Sequence, residues 1–203
     1  MFIVFDGPDG SGKSTLLKKV AVEMQLDPFF EKYAVFTTKE PGSTNIGKEI
    51  RKILLSVEET PAGLTEFLLF LADRAEHYQR FLKPALKDEK NIVISDRYWE
   101  SSIVYQCLEQ KIINFNDMLK MHKIVTNFLT PDLLFIIDSE IPHGLKNDRF
   151  DNIGQDFREN IRKKYHSILK MTNLKYPKIY IDTTEQNWDQ YVKDIIRHIK
   201  EII

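Results

Sequence analysis

The stretch Phe2-Ile3-Val4-Phe5-Asp6-Gly7-Pro8-Asp9-Gly10-Ser11-Gly12-Lys13-Ser14-Thr15 decides the fold. It begins as a short apolar run that ends on a carboxylate, the pattern of a strand buried on both faces. Gly7 to Ser14 then satisfies G-x-x-x-x-G-K-[ST], and Leu16, Leu17, Val20, Ala21 and Met24 follow at helical spacing. A strand before and an amphipathic helix after are the context that makes this motif a phosphate cradle rather than a turn. The glycines let backbone N–H groups curl around an anion, Lys13 reaches the β- and γ-phosphates, and the Ser14 hydroxyl can ligate Mg²⁺. The motif points to a nucleotide phosphate and leaves the reaction open.

Working outward, short apolar runs alternate with helical patterns. Strands are expected at Phe2–Asp6, Tyr33–Thr38, Asn91–Ser95, Leu133–Asp138 and Lys178–Asp182, each rich in Val, Ile, Phe or Tyr. Ile46, Ile50, Ile53 and Leu54 share helical spacing, and Thr60-Pro61 reads as a helix start for a segment running to about Leu82. Further helices are expected over 99–108, 116–129, 155–171 and 187–202. Apolar strands separated by helices imply an α/β fold: a five-stranded parallel sheet between two helical layers. With no repeat and no linker, residues 1–203 read as one domain.

The charge balance narrows the class. Against 30 acidic residues stand 29 Lys and Arg, a formal charge of −1, which argues against a nucleic-acid or membrane-surface binder. A single cysteine excludes an intrachain disulfide and suits a reducing compartment. No apolar stretch approaches the roughly 20 residues of a membrane span, so a cytoplasmic protein is expected. His77, His122, His143, His166 and His198 lack metal-ligand spacing, and Cys107 reads as an inert, buried thiol.

A phosphate loop needs an acidic residue at the end of another buried strand to hold water on magnesium. Asp96 and Asp138 both qualify, and Asp96 is followed by the cation Arg97. Lys39-Glu40-Pro41-Gly42 follows the second strand, at the sheet edge where α/β proteins bind ligands, and Arg51 lies in the next helix. Phe70 and Arg74 are one helical turn apart and share a face. Together they could stack a planar base and donate to its edge, although spacing alone favours a core ring and a surface ion-pair former.

In order and spacing, these segments, with Phe70-Leu71-Ala72-Asp73-Arg74-Ala75-Glu76-His77, Asp96-Arg97-Tyr98, Ser101-Ser102, Tyr105-Gln106, Pro131-Asp132-Leu133 and Asp148-Arg149-Phe150, resemble the bacterial thymidylate kinases. The resemblance implies a phosphate-loop fold that transfers the ATP γ-phosphate to dTMP, and a homodimer. Residue by residue, it implies ATP on Gly7, Pro8, Asp9, Gly10, Ser11, Gly12, Lys13, Ser14 and Thr15, with Mg²⁺ held by Ser14 and, through water, Asp96. Asp9 would hold the deoxyribose 3′-hydroxyl. Arg51 and Arg97 would bind the acceptor phosphate, with Glu40 beside them. Phe70 would stack on thymine, and Arg74 would donate to its O4. Ser102 and Gln106 would line the base edge, while Tyr105 would crowd the sugar 2′ position. Lys13, Arg97, Arg149 and Asp9 form the expected catalytic set.

The chain departs from the family in its cover. Residues 139–150 form a short lid in which Lys146 and Arg149 are the cations, and either could face the phosphates. Lys39 replaces an arginine, Ser43 a glycine and Asp6 a glutamate, and Cys107-Leu108-Glu109-Gln110-Lys111 replaces a glycine-rich stretch. Two other readings therefore stand beside a dTMP kinase: a deoxynucleotide kinase with shifted base preference, and a nucleotide-binding protein with impaired turnover.

Overall fold

The computed structural model describes residues 1–56, 59–142 and 154–203. Strands β1 (Phe2–Asp6), β2 (Ala34–Lys39), β3 (Asn91–Asp96), β4 (Leu133–Asp138) and β5 (Lys178–Asp182) form one sheet in the order β2-β3-β1-β4-β5. Every pairing is parallel. Central β1 and β4 are buried at each position. The edge strand β2 departs from the expectation of strands covered on both faces, because each of its residues is exposed or half-buried.

Helices α1 (Lys13–Leu26) and α8 (Trp188–Ile202) cover one face of the sheet, packing Leu16, Val20, Ile195 and Ile199 against Ile3, Phe5, Phe135 and Ile137. On the other face Phe67, Leu71, Trp99, Ile103, Ile161 and Tyr165 meet Phe2, Val4, Val93 and Leu134. These come from α3 (Gly63–His77), α5 (Trp99–Ser102) with its continuation, and α7 (Gln155–Leu169). Burial of about 1.5–3 kcal/mol per large apolar side chain on two such faces holds the sheet between the helical layers.

Three local expectations need correction. Thr60-Pro61 does not open α3, which begins at Gly63 with no side-chain cap. A Cβ on Gly63 would lie 2.5 Å from Ile112 Cδ1, so the first turn of α3 packs closely against that loop. The helical path also continues past Leu82, through a π-helical turn (Tyr78–Leu82) into α4 (Lys83–Ala85). On α2 (Asn45–Leu55) Ile50 and Leu54 are buried, but Ile46 and Ile53 are exposed, because that helix carries more apolar surface than the core accepts. A second π-helical segment, Ile103–Glu109, follows α5 and leads to α6 (Phe115–Thr126).

Because the sheet is parallel, all five strands deliver their C-terminal residues, Asp6, Lys39, Asp96, Asp138 and Asp182, to one edge. Arg97 N–H donates to Phe5 O at 2.9 Å and Glu40 N–H to Asp96 O at 2.9 Å, so these strand ends are tied together.

Candidate active site

The loop after β1 is built by backbone. Gly7, Gly10 and Gly12 have φ of 147°, 76° and 81°, and a Cβ on Gly7 would sit 2.0 Å from the Ile137 carbonyl oxygen. Only glycine fits there. The Thr183 hydroxyl donates to Ser11 O at 2.8 Å, pinning the loop to the end of β5. Lys13 Nζ donates to Pro8 O at 2.6 Å inside the loop. Burial, with the charge of Arg97, lowers the Lys13 pKa to about 8. At the start of α1, Ser14 Oγ donates to Asp96 Oδ2 at 2.5 Å. Of the two candidate acids, Asp96 is therefore the one beside the loop. Asp138 is held elsewhere: the Arg162 Nε lies 2.9 Å from its Oδ1 and Tyr180 OH 3.1 Å from its Oδ2.

A hub of buried polar groups joins this loop to the rest of the edge. Asp6 is fully buried and accepts from Gly7 N–H, Ser101 Oγ and Tyr165 OH, each at 2.8 Å, and from Arg97 at 3.2 Å. Arg97 also donates to Asp9 Oδ1 at 2.6 Å, from a backbone held in the left-handed region at φ 73°. Burial works against the Asp9 carboxylate, but Arg97 and Lys13 outweigh it and hold its pKa at about 2. Tyr105 OH donates to the other oxygen of Asp9 at 3.3 Å.

The second cavity is built by side chains. Asp9, Glu40, Arg51, Phe70, Arg74, Arg97, Ser102, Tyr105 and Gln106 all line it. Phe70 is half-buried and faces this space. Arg74 is not a surface group: it is 2% exposed, with Nε donating to Glu40 Oε2 at 2.8 Å and its terminal nitrogens reaching Tyr98 O and Ser102 Oγ. Glu40 is likewise committed, since His77 Nδ1 lies 2.9 Å from its second oxygen. It therefore meets the cavity as a neutralised carboxylate, which lowers its repulsion of an anion. Arg51 donates to Pro41 O at 2.9 Å, and passes so near Gly42 that a Cβ there would lie 2.9 Å from its Cδ.

This cavity opens on a larger groove that runs along the phosphate loop past Lys13, Ser14 and Asp96. Asp9, Glu40, Arg51 and Arg97 line both. The expected cover cations Lys146 and Arg149 lie outside the described residues.

Several groups were not assigned roles from the sequence. Tyr165 and Arg162 lie on a distant helix, and nothing local marks them. His77 could have been found, because it stands three residues after Arg74 on the same helical face. Asp73 receives Gly42 N–H at 2.9 Å, and its Oδ2 is buried without a partner among the described residues. Burial and Glu40 raise its pKa to about 6. Cys107 is half-buried beside Met118, and burial raises its thiol to about 11, as an inert thiol requires.

Known proteins resemble this chain over most of its length. The family model described as thymidylate kinase matches residues 5–195. A thymidylate kinase of Prochlorococcus marinus (strain NATL2A) is 33% identical over 100% of this chain and 97% of its own length. One from Caldicellulosiruptor saccharolyticus is 40% identical over 84% of this chain and 83% of its own. Among solved structures, a thymidylate kinase from Ehrlichia chaffeensis superposes with a TM-score of 0.77 at 28% identity, covering 98% of both chains.

Proposed function

The chain belongs to the thymidylate kinase family, enzymes that phosphorylate dTMP to dTDP with ATP, and we propose how its two joined cavities divide that work. The observation that carries the reading is the sharing of Asp9 and Arg97 between the phosphate-loop groove and the cavity around Phe70 and Arg74. The loop N–H groups and Lys13 hold the triphosphate of ATP. dTMP enters the second cavity with its base on Phe70, its O4 facing Arg74, and Ser102 and Gln106 along the base edge. Asp9 takes the 3′-hydroxyl, Tyr105 crowds the 2′ position, and Arg51 and Arg97 hold the acceptor phosphate.

The acceptor is itself a phosphate with a second pKa of about 6, so it arrives as an anion and needs no general base. Positioning and charge neutralisation then carry the rate, with Lys13 and Arg97 at the transferring group. Ser14 and Asp96 offer only oxygen ligands, 2.5 Å apart and beside Lys13, a set that fits Mg²⁺. They would hold it, and when bound it supplies charge neutralisation at the β- and γ-phosphates. We assign the covering charge to Arg149, with Lys146. Changing both to Ala should lower kcat, and an unchanged kcat would remove that assignment.

We further propose that residues 1–203 act as one domain, in a cytoplasmic homodimer that binds no nucleic acid. Ile46 and Ile53 on α2 and Leu64 and Leu68 on α3 expose apolar surface that a second copy would cover. Among the described residues no helix is long and apolar enough to cross a membrane. Light scattering after gel filtration tests the dimer.

The function is tested by ADP release with Mg²⁺-ATP against dTMP, dUMP, dCMP, dGMP and UMP. dTMP should be turned over best, and dUMP should trail it modestly because a methyl is worth only about 1–3 kcal/mol. dCMP should be rejected clearly, since Arg74 offers donors only and leaves the cytosine amino group unpaired. Another best substrate would point to a shifted base preference. No turnover with any would mark a binding protein.

A further inference from the structure

Beside the cavity lies a buried carboxylate that the mechanism above does not use. Glu66 is 2% exposed and stands on the same face of α3 as Phe70 and Arg74, one and two turns before them. Its Oε1 accepts from Gln106 Nε2 at 3.0 Å and from Gln110 Nε2 at 3.2 Å. Two polar pairs thus link α3 to the facing helical segment, Glu66 to Gln106 and Arg74 to Ser102.

A carboxylate only accepts hydrogen bonds, whereas a Gln amide can turn either end toward a neighbour. Glu66 therefore decides which way the Gln106 amide faces. The N–H₂ end is drawn to Oε1 of Glu66, and the carbonyl end is left to the cavity that Gln106 lines. Along that wall Arg74 supplies donors and Gln106 an acceptor. The thymine edge carries the complement, an acceptor at O4 and a donor at N3–H. Cytosine reverses both, with an amino donor at C4 and a bare N3.

We propose that Glu66 is a positioning residue for base selection: it locks the Gln106 amide as an acceptor, so that the pocket takes a pyrimidine with a ring N–H and refuses one without. The proposal rests on the reading that the base of dTMP occupies this cavity. Arg74 rejects cytosine at one atom, and the Glu66–Gln106 pair rejects it at the next. A site whose buried polar groups are left unpaired by the wrong ligand discriminates far more than one that merely loses a methyl contact. Gln110 supports the lock by donating to the same carboxylate oxygen from one turn further on.

Glu66→Gln is nearly isosteric and removes the lock, because an amide at 66 can face Gln106 with either end. The measurement is the ratio of kcat/KM for dTMP to that for dCMP, in which any general loss of folded enzyme cancels. E66Q should lower this ratio by about tenfold, the scale of one hydrogen bond. Gln106→Leu should lower it by a similar factor, and E66Q in the Q106L background should lower it no further. An E66Q ratio equal to wild type, a Q106L ratio equal to wild type, or an E66Q effect that persists in the Q106L background each overturns the proposal. Should E66Q fail to fold, which a thermal melt will show, Glu66→Asp takes its place: it draws the carboxylate back from Gln106 and should lower the ratio likewise, whereas an unchanged ratio overturns the proposal. A wild-type enzyme that used dTMP and dCMP equally would instead overturn the placement of the base, and the proposal with it.

Discussion

The groove along the phosphate loop and the cavity around Phe70 meet at Asp9 and Arg97, yet they are made of different material. The groove is built from consecutive backbone, with glycines at 7, 10 and 12 in left-handed or otherwise restricted conformations and one buried lysine. The cavity is built from side chains on β2's exit loop, α3, β3's exit and the α5 segment, most of them already paired with one another. Backbone N–H groups recognise any phosphate chain, so the first region carries the reaction type. Paired side chains have fixed donor and acceptor ends, so the second carries the identity of the substrate. Rigidity at the two places has different sources: steric exclusion at Gly7, and the Glu40–Arg74 ion pair with its hydrogen-bonded His77.

The sharpest way to break this division is at the junction. Arg97→Met should cut kcat/KM by about 10³-fold for both substrates, because it removes a charge at the transferring group and breaks the ion pairs to Asp6 and Asp9. A loss confined to one substrate in steady-state kinetics would show that the two regions are not joined there. Phe70→Ala probes the second region alone. It should raise KM for dTMP by about tenfold or more, the scale of base–aromatic stacking, with KM for ATP unchanged.

The first region should show itself in pH. With its pKa lowered to about 8, Lys13 loses its charge as pH rises through that value. In profiles of the free enzyme, kcat/KM for ATP should fall by up to about tenfold per pH unit above that point. A bound triphosphate favours the charged lysine, so kcat at saturating ATP should hold to higher pH. Coincident profiles would mean that Lys13 does not face the phosphates.

The smallest effect belongs to Asp73, behind the second region. Its pKa rises from 3.8 to about 6 on folding, so the folded state binds the extra proton between those values. The stability this contributes is full below 3.8 and is lost as pH rises through 6. Asp73→Asn should keep the bond from Gly42 N–H and raise stability by about 1 kcal/mol near neutral pH, a gain that shrinks as pH falls below 6 and is gone below 3.8. Thermal melts at the two pH values measure it.

Much of this was legible in the chain. The phosphate loop could be read because its geometry is local: the residues that make it are neighbours in sequence, and their conformations follow from glycine alone. Phe70 and Arg74 were legible as a face, since helical periodicity puts them together, but their surroundings were not. Spacing allows a surface arginine, and only the approach of β2's exit loop shows that Glu40 waits for it. Tyr165 and Asp6 are 159 positions apart and no local pattern marks their bond. Thr60-Pro61 carries a local start signal, yet α3 begins at Gly63, where it packs against Ile112 from another part of the chain.

By itself, then, the sequence determined the alternation of strands and helices, the phosphate loop and the family, since each depends on local conformation or on ordered motifs. Tertiary structure decided which of two strand-end aspartates stands beside Ser14, that Arg74 is buried against Glu40, and that the Gln106 amide donates to Glu66. Those outcomes depend on the partner each polar group finds across the fold. Burial makes an unpaired charge or amide costly, so the partner, not the residue type, settles the role.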